Sequence, residues 1–113
     1  MDCPPILDGF EIVDRVGEHW NLRLAHGSPR CAGHFPQDPV LSAVGQIQLV
    51  DWLRRQAHPE AATWVALEDL RCRRVLRPGA EFGVHFAEHP AKRCTSFAIE
   101  CAQGEVTRGR MRW

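Results

Sequence analysis

Several things are scarce in this 113-residue chain, and each scarcity excludes something. Neither charge sign is in excess, since Lys+Arg and Asp+Glu both number 14. Net charge therefore gives no reason to expect a nucleic-acid partner. No stretch approaches the ~20 consecutive apolar residues of a membrane-spanning helix. The start, Met1-Asp2-Cys3-Pro4-Pro5, has neither a basic cluster nor an apolar run, so no signal peptide is expected. Cys3, Cys31, Cys72, Cys94 and Cys101 are odd in number and lack metal-type spacing. There is no phosphate-cradling glycine-rich loop, no nucleophile elbow, no repeat and no low-complexity segment. Lysine is nearly missing: only Lys92 stands against thirteen arginines. Arginine suits phosphate and carboxylate recognition, but a codon bias would give the same count. These absences point to a cytoplasmic protein with reduced thiols.

What is present is ordinary globular material. Hydrophobic residues make up 44% and charged residues 25%. The length fits one domain, residues 1–113, able to bury roughly two-thirds of its unfolded surface.

The pattern along the chain changes period once. Residues 1–9 read as an extended arm and 10–16 as a strand. Trp20, Leu22 and Leu24 alternate with Asn21 and Arg23, again at strand period. Residues 26–39 read as a loop rich in Gly, Pro and Ser. From about 41 to 57 the period becomes helical, with Ser42 as N-cap and His58-Pro59 as the stop. Leu41, Val44, Ile47, Leu49, Val50, Trp52 and Leu53 leave a narrow polar face, which predicts a buried helix. Four strands follow, over 64–75, 80–88, 93–102 and 105–113. The turn signals between them predict a meandering antiparallel sheet. An antiparallel sheet needs a partner for its apolar face, and one buried helix supplies it. The fold class is α+β.

The densest local signal is Gly33-His34-Phe35-Pro36, followed by Pro39-Val40-Leu41 and the helix. Pro36 and Pro39 fix their own φ and hold the residue before them extended. This sets one imidazole on a stiff turn beside a helix N-terminus, a place suited to an anion or a developing oxyanion. The pair His85 and His89 falls in a strand and its turn, which argues against a metal site.

The stretch Gly33 to Val44 resembles the signature of the 3-hydroxyacyl-acyl-carrier-protein dehydratases, enzymes of the hotdog fold. Phe10–Val16, Arg73-Arg74-Val75-Leu76-Arg77-Pro78-Gly79 and Cys101–Val106 resemble further family segments in family order. Leu41-Ser42-Ala43-Val44-Gly45-Gln46-Ile47 is most similar to the aryl-polyene branch. The resemblance implies an antiparallel sheet wrapped around one long central helix. It implies elimination of water from a 3-hydroxyacyl thioester to a trans-2-enoyl thioester, in fatty-acid or polyene synthesis. The substrate would ride on the phosphopantetheine of acyl carrier protein or on coenzyme A, with no metal or organic cofactor. His34 would take the α-proton, and the Ala43 backbone N–H would polarise the thioester carbonyl. Phe35, Leu41, Val44 and Ile47 would line the acyl path or else belong to the core. Arg54, Arg55, Arg71, Arg73 and Arg74 would meet the acidic carrier or the phosphate of pantetheine, or else form a solvated surface. Sites in this family are built across two chains, so a homodimer or higher homo-oligomer is expected.

Three positions depart from the family pattern. Ser42 and Ala43 replace a Pro-Gly pair. Gln48 stands where the family has the carboxylic acid that protonates the departing hydroxyl. A carboxamide has N–H donors but no labile proton near neutral pH. Three readings follow. His34 serves both proton transfers while Gln48 orients the hydroxyl; a second hotdog chain in a hetero-dimer supplies the acid; or the chain binds acyl groups without dehydrating them. Asp51, one turn beyond Gln48, is a further candidate acid or an ordinary surface carboxylate. A hotdog thioesterase, with Gln48 holding a hydrolytic water, is the alternative chemistry, because fold alone does not fix function.

Overall fold

The computed structural model describes residues 9–25 and 40–113. Among these described residues, six strands and one long helix follow the predicted order: β1 (Phe10–Val16), β2 (His19–Leu24), α1 (Ala43–Ala57), β3 (Ala66–Cys72), β4 (Glu81–His89), β5 (Cys94–Cys101) and β6 (Gly104–Arg112). The arm over residues 1–9 and the loop over 26–39 lie almost wholly outside the described residues. Gly17 closes the β1–β2 hairpin with a φ of 61°, which glycine adopts without a Cβ penalty.

All six strands pair antiparallel in one sheet, in the order β1-β2-β4-β5-β6-β3. The meander expected after the helix is therefore only partly correct. Strands β4, β5 and β6 do form it, but β3 pairs with β6 at the far edge rather than with β4. The chain between β3 and β4 carries the crossing. Arg73 N–H donates to the Val106 carbonyl of β6 at 2.7 Å, and Leu41 N–H donates to the Leu76 carbonyl at 2.9 Å. Further on, Leu24 N–H of β2 donates to the Ala80 carbonyl at 2.9 Å. An Arg-Pro-Gly turn looks the same in sequence whether it closes a hairpin or ends a crossover.

The period-two alternation of β2 and β4 puts Trp20, Leu22, Leu24, Phe82, Val84 and Phe86 on one face. Phe97, Ile99, Val106 and Met111 extend that face across β5 and β6. The helix adds Ile47, Leu49, Val50 and Leu53 to the same core. Each large apolar side chain buried there contributes roughly 1.5–3 kcal/mol. The opposite face of the sheet is polar, with Glu11–Arg23–Glu81 bridged across three strands at 3.1 and 3.5 Å.

The helix departs from the expectation of near-complete burial. Val44 is 66% exposed and Gln48 is exposed, while Arg54 is 0% exposed. Arg54 is thus neither a solvated charge nor a docking residue. Its Nη1 donates to Asp51 at 2.9 Å, its Nε donates to the Thr95 hydroxyl at 3.2 Å, and its Nη2 donates to the Ala62 carbonyl. Glu88 of β4 lies 3.5 Å from Nε. The Thr95 hydroxyl donates to Glu88 and accepts from the Trp113 indole N–H at 3.0 Å. A guanidinium without water survives only when its donors are matched by acceptors like these. Arg54→Met should leave Asp51 with Arg55 alone and Glu88 with only the Thr95 hydroxyl, and cost about 3–5 kcal/mol of stability, read by urea denaturation. A loss below about 1 kcal/mol would show that the cluster holds nothing together.

Candidate functional site

The helix start is built by one side chain. Ser42 is the N-cap, in extended conformation, and its hydroxyl accepts from Gly45 N–H at 3.1 Å. The Ser42 carbonyl takes the first intrahelical bond, from Gln46 N–H at 3.0 Å. The N–H groups of Ala43 and Val44 precede that ladder and point out of the helix end, where an acceptor from elsewhere can reach them. Leu41, just before the cap, is buried and tied by its backbone to Leu76.

Gln46 is a buried polar residue that the helical period does not single out. Its Nε2 donates to the Leu41 carbonyl at 3.3 Å, and its Oε1 accepts from the Thr107 hydroxyl of β6. Both partners are buried. This fastens the first turn of α1 to the sheet and to its own N-cap, and so fixes the helix rotation. The only hint in the sequence is a glutamine one residue before an apolar position on a helix otherwise ruled by Leu, Ile and Val.

That rotation decides which candidates meet. Leu41 and Ile47 belong to the core. Val44 and Gln48, four residues apart, share an exposed stripe with the Ala43 N–H at its head. Asp51 stands outside this group. Its two carboxylate oxygens accept from Arg54 at 2.9 Å and from Arg55 at 3.2 Å, so it is held as the counter-ion of the buried cluster. His34 and Phe35 lie outside the described residues. Arg73 and Arg74 sit at the start of the crossover, both exposed. His85 bonds Glu100 at 2.8 Å and His89 bonds Ser96 at 2.9 Å. No group of three metal-type side chains converges among the described residues.

Thr107→Val should leave the buried Gln46 carboxamide oxygen without a donor and cost about 1–3 kcal/mol. The double variant Gln46→Leu/Thr107→Val should recover part of that loss in thermal melts. Strict additivity of the two single effects would show that the two side chains are not coupled.

Among solved structures, the chain aligns with the dehydratase heterocomplex ApeI:P from Xenorhabdus doucetiae at a TM-score of 0.78 and 20% identity, over 91% of each chain. An uncharacterised protein from Erwinia carotovora subsp. atroseptica aligns at 0.75 and 18%, over 91% of this chain and 90% of that one. At such identities the likeness establishes the hotdog fold. No curated protein matches the chain. A family model, the ApeI-like dehydratases, matches residues 15–110, which covers β2 to β5 entire, nearly all of β6 and the whole capped helix start. The chain belongs to the ApeI-like dehydratase family.

Proposed function

We propose that this protein takes part in removing water from a 3-hydroxyacyl thioester, carried on the phosphopantetheine of acyl carrier protein or on coenzyme A. The carrying observation is the family match over residues 15–110, which spans a helix start with outward N–H groups and an exposed Gln48 one turn below. In this reading the substrate carbonyl accepts from the Ala43 N–H, which stabilises the enolate charge as it develops. His34 takes the proton from the α-carbon, a task for which an imidazole is suited near neutral pH. The C–O bond at the third carbon then breaks. The hydroxyl leaves as water once it gains a proton, and a trans-2-enoyl thioester remains. No metal or organic cofactor enters these steps. Val44, exposed beside the helix start, lines the approach.

Gln48 can orient the leaving hydroxyl but cannot protonate it. We assign that proton to a carboxylic acid on a second hotdog chain. Asp51 does not serve, because two guanidinium groups hold its carboxylate. The heteromeric dehydratase among the structural neighbours supports a two-chain site. The described cysteines Cys72, Cys94 and Cys101 are free thiols, which suits a reducing cytoplasm.

The test is loss of water from 3-hydroxyacyl-acyl carrier protein, followed by mass spectrometry. The isolated chain should turn over slowly, and Gln48→Glu should raise the rate by about a hundredfold or more. Adding His34→Ala to the Gln48→Glu variant should remove that gain. Equal rates with and without His34, or release of free thiol in place of the enoyl product, would overturn the reading.

A further inference from the structure

The polar face of the sheet, opposite the core, holds a concavity walled by arginine. Thr107 and Met111 of β6 are buried in the core, so by strand alternation Arg108 and Arg110 stand on the polar face. Arg71 of β3 pairs directly with Arg108 and shares that face. These three arginines line a cavity of about 450 Å³ together with Asp69 and Ser96. The register accounts for the hollow. Arg110 stands opposite Ser96, and Arg108 stands opposite Ala98. Small side chains on β5 thus leave open the space that the long ones on β6 and β3 enclose.

The charge in this cavity is only partly answered. β3 is bulged here: its register against β6 shifts between Glu68 and Arg71, and Asp69 takes a φ of 53°. A non-glycine residue holds that conformation only where its surroundings impose it, and such bulges re-aim side chains. The Asp69 carboxylate accepts from Arg110 Nη2, so one guanidinium is oriented at the cavity wall. Arg110 Nε has no acceptor among the described residues. Glu105 lies 3.8 Å from Arg108 but is bonded more closely to Arg73, at 2.8 Å. Arg71 meets no carboxylate among the described residues. Its place opposite Arg108 is a like-charge pairing that destabilises a sheet unless something answers it. At the other end of the same face the balance is reversed, since Arg23 meets both Glu11 and Glu81.

We propose that this cavity binds a phosphate group carrying about two negative charges. Guanidinium forks pair with the edges of an oxyanion, and charge-assisted bonds of this kind are the strong ones. Three forks on two strands reach a common centre from different sides. A tetrahedral phosphate presents oxygens to all three, whereas a planar carboxylate presents only two. Ser96 Oγ, bonded to His89 Nε2 at 2.9 Å, adds a hydroxyl at the floor. Two sources offer this chemistry: a free diphosphate, and the phosphate of a pantetheine arm. The site lies on the sheet face away from α1, and the inference does not rest on the dehydration reading.

Isothermal titration calorimetry of the full chain tests it, with inorganic pyrophosphate and phosphopantetheine as the two probes. At least one should bind one-to-one with a Kd of about 1 mM or tighter. Arg71→Gln and Arg108→Gln should each weaken that binding at least about tenfold. Arg71→Gln also relieves the like-charge pair, so the variant should fold at least as well as the wild type. Arg23→Gln, on the same face but outside the cavity, should leave binding unchanged. Pyrophosphate binding alone assigns the cavity to a free diphosphate, and phosphopantetheine binding that Arg71→Gln weakens assigns it to a pantetheine arm. No saturable heat with either probe would overturn the proposal. So would an equal loss in all three variants, since the attraction would then be diffuse charge and not a site.

Discussion

The arrangement depends on one buried cation. Arg54 sits in the last turn of α1, where the helix dipole already favours positive charge. Its guanidinium reaches the helix itself through Asp51, the following loop through Ala62, β4 through Glu88 and β5 through Thr95. Apolar packing alone would let the helix slide or turn over a face of Leu, Val and Phe. A guanidinium with directional donors does not allow that. With Gln46 bonded to Thr107 at the other end, α1 is fixed at both ends by buried polar contacts and filled between them by apolar ones. The position of the Ala43 N–H and the outward aim of Gln48 both follow from that registration.

The crossover between β3 and β4 matters as much as the helix. It runs from the edge of the sheet past the helix start, with Leu76 buried and bonded by its backbone to Leu41. The site's helix end and the arginine-rich edge are therefore neighbours along one short segment.

Much of the architecture was legible in the sequence, because it rests on periodicity. The alternation at Trp20, Leu22 and Leu24, the N-cap at Ser42 and the stop at His58-Pro59 are local signals, and the structure shows each in place. The order of strands in the sheet was not legible in the same way. Placing β3 beside β6 depends on contacts between distant parts of the chain, and hairpin turns and crossover turns share the same residues. Arg54 was misread because an arginine beside Arg55 in a last turn looks like a surface residue until its acceptors, two of them from the sheet, are assembled around it. Gln46 was passed over for the same reason, since its partner Thr107 is 61 residues away. Among the site residues, Gln48 could be singled out only because a family pattern made its lack of an acid visible.

The pairing of β3 with β6 also sets an order of events during synthesis. β3 is finished at Cys72, whereas its partner strand begins at Gly104. On a ribosome adding about 5–20 residues per second, β3 waits on the order of seconds with both edges bare. For that interval it is a short strand open to any passing chain. Two acids, Glu68 and Asp69, followed by Arg71 and Arg73 give this segment mixed charge when it has nothing to pair with. Once β6 arrives, Glu68 pairs with its Arg112 and Asp69 with its Arg110, both at the surface. A single run of side chains thus shields the nascent strand and afterwards ties it to its partner strand.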